Sequence, residues 1–206
     1  MKKVILILSA LFLFSDFISC REKGEDRSCR FTFGAEWNYI GSFHCGIHHN
    51  FFSEEGYRVD LYHTGFGYKS NGDVYLHAGI DLREKWNISF YTGLAGVYDI
   101  GKIIPISIRA SRYFKPNVMG DRWFSFLDAG SGVCIKKEPQ AALIGKVGAG
   151  YRIALSQVSS LDFILAYRMT LTHPEIIYDG YKVPINMTNR NNAFISAISI
   201  GLSLSF

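Results

Sequence analysis

The sequence predicts an all-β chain that closes into an eight-stranded antiparallel up-and-down transmembrane β-barrel. Three observations predict it. Segments of about ten residues alternate apolar and polar side chains, which is the period of a strand and the length a tilted strand needs to cross a bilayer. The polar face of those segments carries charges of both signs, while the apolar face is a row of Leu, Ile, Val, Phe and Tyr. An apolar run opens the chain and an aromatic residue, Phe206, closes it in mid-pattern. The bulk figures agree: 206 residues, 15% aromatic, 20 glycines, net charge +4 and mean hydropathy +0.08 suit strands and turns better than helices.

Lys2 and Lys3 precede an unbroken apolar run over residues 4–14 (VILILSALFLF), and SDFISC then returns to small and polar residues. That layout is a secretory signal peptide over residues 1–20, and the run is too short to span a bilayer as an ordinary helix. A short buried N-terminal helix is the alternative. FISC partly matches a lipobox: Ser19 and Ile18 fit, Phe17 departs from the usual Leu, and Cys20 is the candidate lipidation site beside ordinary cleavage. Residues 21–30 (REKGEDRSCR) are charged, without periodicity, and read as a flexible lead-in. The barrel is expected over residues 31–206.

The first predicted strand sets Phe31, Phe33, Ala35, Trp37 and Tyr39 against Thr32, Gly34, Glu36 and Asn38. The second, GYRVDLYHTGFGYK, starts with Val59 and Leu61 opposite Arg58 and Asp60. A bulge near residues 63–65 would bring Phe66 and Tyr68 to the apolar face. The third, DVYLHAGIDLR, sets Val74, Leu76, Ile80 and Leu82 against His77, Asp81 and Arg83. The remaining five are IPISIRASRYF, WFSFLDAGSGVCI, LIGKVGAGYRIAL, SLDFILAYRMTLT and AFISAISIGLSLSF. Their polar faces carry Arg109, Asp128, Lys146 with Arg152, Asp162 with Arg168, and a Ser/Gly row. Asn71-Gly72 is the strongest short hairpin signal, and residues 155–160 form a second short turn. Longer links are expected over residues 41–56, 84–102 and 173–192. Short turns at one end and long loops at the other is an outer-membrane layout.

Glu36, Asp60, Asp81, Asp128 and Asp162 oppose Arg58, Arg83, Arg109, Lys146, Arg152 and Arg168 on the polar face. An eight-stranded barrel has room inside only for side chains, and enclosed charges are tolerable only when paired. The sequence therefore predicts a plugged lumen holding these residues as a structural network. A soluble barrel or sandwich with this face in water is the competing reading, but it leaves the apolar face unexplained. Arg112 is an exception on that face, near a strand end where it can snorkel. Phe31, Phe114, Trp123 and Phe206 fall at one set of strand ends, as interfacial girdles do.

IPISIRASRYF, FLDAGSGV, KVGAGYRIALSQVSSLDFILAYRMT and the terminal ISIGLSLSF resemble small outer-membrane barrels of the OmpA/OmpX-like kind, in versions seen in Bacteroidetes-type bacteria. The closing Phe206 resembles the β-signal read by the outer-membrane assembly machinery. The resemblance implies a monomer in the bacterial outer membrane with both termini periplasmic and lipid around it. It implies little about activity, since fold does not give function.

His44, Cys45, His48 and His49 cluster as HCGIHH, but the spacing matches no established metal site. Cys29 is expected at the periplasmic end. Cys45 and Cys134 are expected towards the outside on distant strands, so no disulfide is predicted. His63 and His173 are the only suggestive bases, and neither has a matching Ser motif. No catalytic residue, cofactor or nucleic-acid partner is expected. The role expected is structural or in contact with an unknown extracellular ligand through the outer loops. A narrow path for small or hydrophobic solutes is the alternative, and a lipid-modifying enzyme the third reading.

Overall fold

The computed structural model describes residues 29–82, 85–98, 101–114, 120–135 and 141–206. The expected signal peptide, Cys20, nearly all of the lead-in and Arg83 lie outside the described residues. Ten strands follow in chain order: β1 (Arg30–Phe52), β2 (Arg58–Leu82), β3 (Trp86–Val97), β4 (Gly101–Tyr113), β5 (Arg122–Cys134), β6 (Ala141–Ala154), β7 (Ser160–Thr172), β8 (Ile177–Tyr178), β9 (Tyr181–Lys182) and β10 (Thr188–Ser205). Eight of them close one antiparallel barrel in the order β1-β10-β7-β6-β5-β4-β3-β2, and β8 with β9 forms a separate small hairpin. No described helix is long and apolar enough to cross a membrane, which says nothing against crossing by strands.

The ring is staggered. Directly paired residues lead from Ala35 through Leu76, Thr92, Ile106, Ser131, Leu143, Leu171 and Phe194 back to β1 at Gly46, well above the starting point. Such a shear tilts the strands against the barrel axis and leaves an interior filled by side chains.

The alternation read from the sequence sorts residues as an inside-out protein would. Trp37, Val74, Leu76, Ile106, Ile108, Leu127, Leu165 and Ile200 are exposed on the wall, while Glu36, Asp81, Arg109, Asp128, Lys146 and Arg168 are buried inside. Arg112 lies on the wall with its guanidinium 5.6 Å from the Trp86 ring.

Two expected strands are one. Residues 58–82 run as a single strand straight through Asn71-Gly72, and no turn forms there. The physical reason is that β1 does not stop near residue 40. It continues to Phe52 and offers Asn71 and Gly72 partners in Ile40 and Tyr39, and ladder pairing overrides a local turn preference. The hairpin turn lies at residues 53–57 instead, where Gly56 has φ 85°, the left-handed conformation that favours glycine.

The strand missing from the count is β3, which lies inside the expected 84–102 link. Trp86, Ile88 and Phe90 face out against buried Asn87, Ser89 and Tyr91. Long strands, more than long loops, carry the asymmetry between the two ends. The expected bulge is displaced too: Ser42 pairs Lys69 and His44 pairs Phe66, so Gly67 and Tyr68 stand opposite Phe43 alone.

The β2–β3 ladder begins at Asp73–Ala95, so residues 58–72 pair with β1 on one edge and, among the described residues, with no strand on the other. β1 in turn pairs with β10 up to Phe51–Thr188. These strands rise past the rest of the wall as an arm whose edge strand is about 50 Å long at roughly 3.4 Å per residue.

Candidate functional site

Two places concentrate polar and chemically distinctive side chains: the lumen and the arm with the loop between β7 and β10. Inward parity on the eight strands of the barrel brings the lumen charges together. At its centre Arg109 of β4 reaches Glu36 of β1 at 2.5 Å and 3.0 Å and Asp128 of β5 at 3.1 Å. Asn38 donates to Glu36 at 2.8 Å. The same guanidinium stacks between Tyr91 at 4.0 Å and Phe126 at 4.4 Å. Asp73 accepts from Arg168 at 3.1 Å and from the Tyr75 hydroxyl at 2.8 Å, with the Lys146 ammonium 3.6 Å away and over the Tyr75 ring. Near the chain termini, Arg152 forks onto Asp162 with two bonds of 2.7 Å, and Asp81 accepts from Asn87 at 2.8 Å. Arg122 lies 3.7 Å from the Tyr113 ring.

Among the described residues the buried acids Glu36, Asp73, Asp81, Asp128 and Asp162 face the buried bases Arg109, Arg122, Lys146, Arg152 and Arg168. The sequence reading omitted Asp73 and Arg122. Asp73 shares the inward parity of Tyr75, His77 and Asp81, but it opens the expected third strand directly after the Asn71-Gly72 hairpin signal. Arg122 shares the parity of Asp128 but sits at the strand's first residue. Arg58 and Asp60, expected inside, stand on the arm: Asp60 meets His48 at 2.9 Å and Arg58 donates to Asn50 at 3.0 Å. Their displacement follows from the same error about Asn71-Gly72.

Aromatic rings also fill the lumen, with Tyr113, Phe124, Phe126 and Ile164 packed as one cluster. Above the charges, Cys45, Val97, Ile103, Cys134, Ile144 and Ile195 belong to an apolar cluster that caps them. The internal cavity beside His77, Tyr91 and Arg109 measures about 10 Å³, no more than one water sphere.

On the arm, strand alternation splits the HCGIHH residues. His44 and His48 share a face with Phe66 and Tyr62, their direct partners, while Cys45 and His49 pair Gly65 and Leu61 on the other. No group of three metal-ligating side chains forms among the described residues. Cys29, Cys45 and Cys134 are unbridged. His44 and His48 make edge contacts with the Phe66 and Tyr62 rings at 5.2 Å and 5.8 Å. His48 bridges strands, with Asp60 on one side and Arg190 of β10 at 3.4 Å on the other. The His48 bond holds the Asp60 carboxyl below its ordinary range. His63 is exposed on the arm, and His173 bonds the Asn191 carbonyl.

The loop between β7 and β10 docks on the arm. Ile176 and Val183 pack with Phe51 and Val59. Asp179 and Gly180, both at positive φ, make the tight turn between β8 and β9 that an Asp-Gly pair favours. At the opposite end of the barrel Phe206 exchanges backbone bonds with Phe33 at 2.8 Å and 3.0 Å and stacks on its ring.

No family model matches the chain, and no curated protein matches it in sequence. Among solved structures it is similar to the outer membrane protein OprG from Pseudomonas aeruginosa, at 10% identity over 89% of this chain and 98% of that one, with a TM-score of 0.52. It is also similar to Neisserial surface protein A, at 13% identity over 87% of this chain and 99% of that one, with a TM-score of 0.45. The first likeness is one of fold: a small barrel of the outer-membrane kind.

Proposed function

We propose that the protein is an integral barrel of the bacterial outer membrane that makes surface contacts through its arm and last outer loop. The observation that carries this reading is the arm. Among the described residues, 58–68 pair with no strand on one backbone edge, and Leu61, Tyr62, Phe66 and Tyr68 are exposed there, Phe66 to 86%. An open edge with aromatic side chains is suited to an added strand of another protein.

The apolar wall supports burial in lipid, and the charged, capped lumen weighs against both conduction and an enclosed active site. On this reading both termini are periplasmic, Phe206 meets the assembly machinery, and the closed wall needs no second copy. The contact partner is an extracellular ligand of unknown identity.

The test replaces Tyr62 and Phe66 by Ser. Intact cells carrying the variant should lose attachment to surfaces or to other cells, while the barrel keeps its heat-dependent gel mobility. Unchanged attachment by a folded variant would remove the arm from the role.

A further inference from the structure

A cavity of about 440 Å³ lies between the last outer loop and the upper end of β10. That volume falls in the range of small-molecule sites. The loop is stitched to β10 at both ends: Asn191 donates to the Pro174 carbonyl, and Thr188 donates to that of Pro184 at 3.1 Å. The cavity is therefore built in advance of any ligand.

Its lining has a consistent chemistry. Ile176, Val183 and Ile185 give an apolar wall. Asn189, Asn191 and Asn192 give amides, each able to donate and accept. Glu175 has Lys182 at 3.5 Å. Arg190 lines the cavity and meets no carboxylate among the described residues; one of its terminal nitrogens lies 3.4 Å from a ring nitrogen of His48, and a guanidinium carries five N–H groups in all. Carboxylate, like phosphate, is a group that a guanidinium fork holds with two parallel bonds. Hydroxyls, which both donate and accept, are what a row of amides matches.

We infer that this cavity binds a saccharide bearing a carboxylate, with Arg190 on the acid group and the β10 asparagines on the hydroxyls. The inference rests on this end of the barrel being extracellular. Acidic sugars can reach it from soluble glycans or from the glycolipid of the same leaflet, and the chemistry is shared.

The test uses the full barrel in phospholipid nanodiscs, with hyaluronan tetrasaccharide as the acidic probe and chitotetraose as the neutral one. The acidic probe should bind at least tenfold more tightly, and Arg190→Gln should erase that advantage while leaving the heat-dependent mobility intact. Asn192→Ala should weaken both probes severalfold. Equal binding of the two sugars, an unaffected Arg190→Gln variant, or equal competition by inorganic sulfate would overturn the proposal. Given tetrasaccharide binding, competition by lipopolysaccharide in the nanodisc assigns the ligand to the membrane, and no competition assigns it to soluble glycans. Protease access to the arm on intact cells tests the extracellular reading separately, because tetrasaccharide binding in nanodiscs does not depend on it.

Discussion

Arg109 and Glu36 lie 73 positions apart in the chain and meet at 2.5 Å in the middle of the lumen, both almost wholly buried. One side chain thus ties β4 to β1, and through Asp128 to β5. The bond is costly to break from one side because the abandoned charge stays buried.

Glu36→Gln or Arg109→Ala should therefore destabilise the barrel by about 3–5 kcal/mol. Urea unfolding followed by the gel-mobility shift measures it. Replacing Glu36, Asp128 and Arg109 together by neutral residues of similar volume should cost less than the single changes summed. Additive losses would show that the three do not act as a unit.

The row of small residues facing the lumen has a packing role that one position makes testable. A Cβ added at Gly201 would fall 1.9 Å from the Asn38 amide oxygen, and Asn38 is the residue that steadies Glu36. Gly201→Ala should cost about 1–3 kcal/mol by overpacking. Gly46→Ala, whose new carbon meets nothing nearer than 3.7 Å, should stay within about 0.5 kcal/mol. Similar unfolding midpoints for the two would contradict the lumen packing.

Phe206 closes the ring against Phe33 by two backbone bonds and a stacked ring 5.7 Å away. Phe206→Asp, or a charged tail appended after it, should lower the amount of folded protein in the outer membrane. Quantifying the heat-shifted band in membrane fractions decides it. Full assembly of the variant would make the terminal ring incidental.

The arm should loosen in acid. Hydrogen bonding to His48 holds the Asp60 carboxyl below its ordinary value of 3.8. A carboxyl depressed in the folded state stabilises above its unfolded pKa, and that contribution disappears as pH falls through the lower folded value. Amide-exchange protection over residues 58–64 should thus decline below about pH 4, the unfolded carboxylate range. Asp60→Asn should flatten the dependence. Protection that is level across this window in the wild type would show that the pair does not hold the arm.

Period-two patterning was enough to assign faces. Asp128 and Lys146 face inward opposite one another because their strands alternate without a break. The same patterning misled at Asn71-Gly72, where a favourable turn dipeptide lies inside a ladder that only the length of β1 supports. Trp86, Ile88 and Phe90 carried a strand signal that interrupting Gly93 and Gly96 made faint. Two errors cancelled in the strand count, so the alternation of strand direction from β4 onward stayed in phase.

By itself the sequence determined the class of fold, the inside-out sorting and the closing Phe206, because alternation is a local property written residue by residue. Only the tertiary structure decided that Arg58 and Asp60 leave the lumen, that Asp73 and Arg122 enter it, and that β10 and the loop before it line an open cavity. Those outcomes depend on register and shear, and register is set by which strands pair and for how long, a relation between distant segments that no single segment encodes.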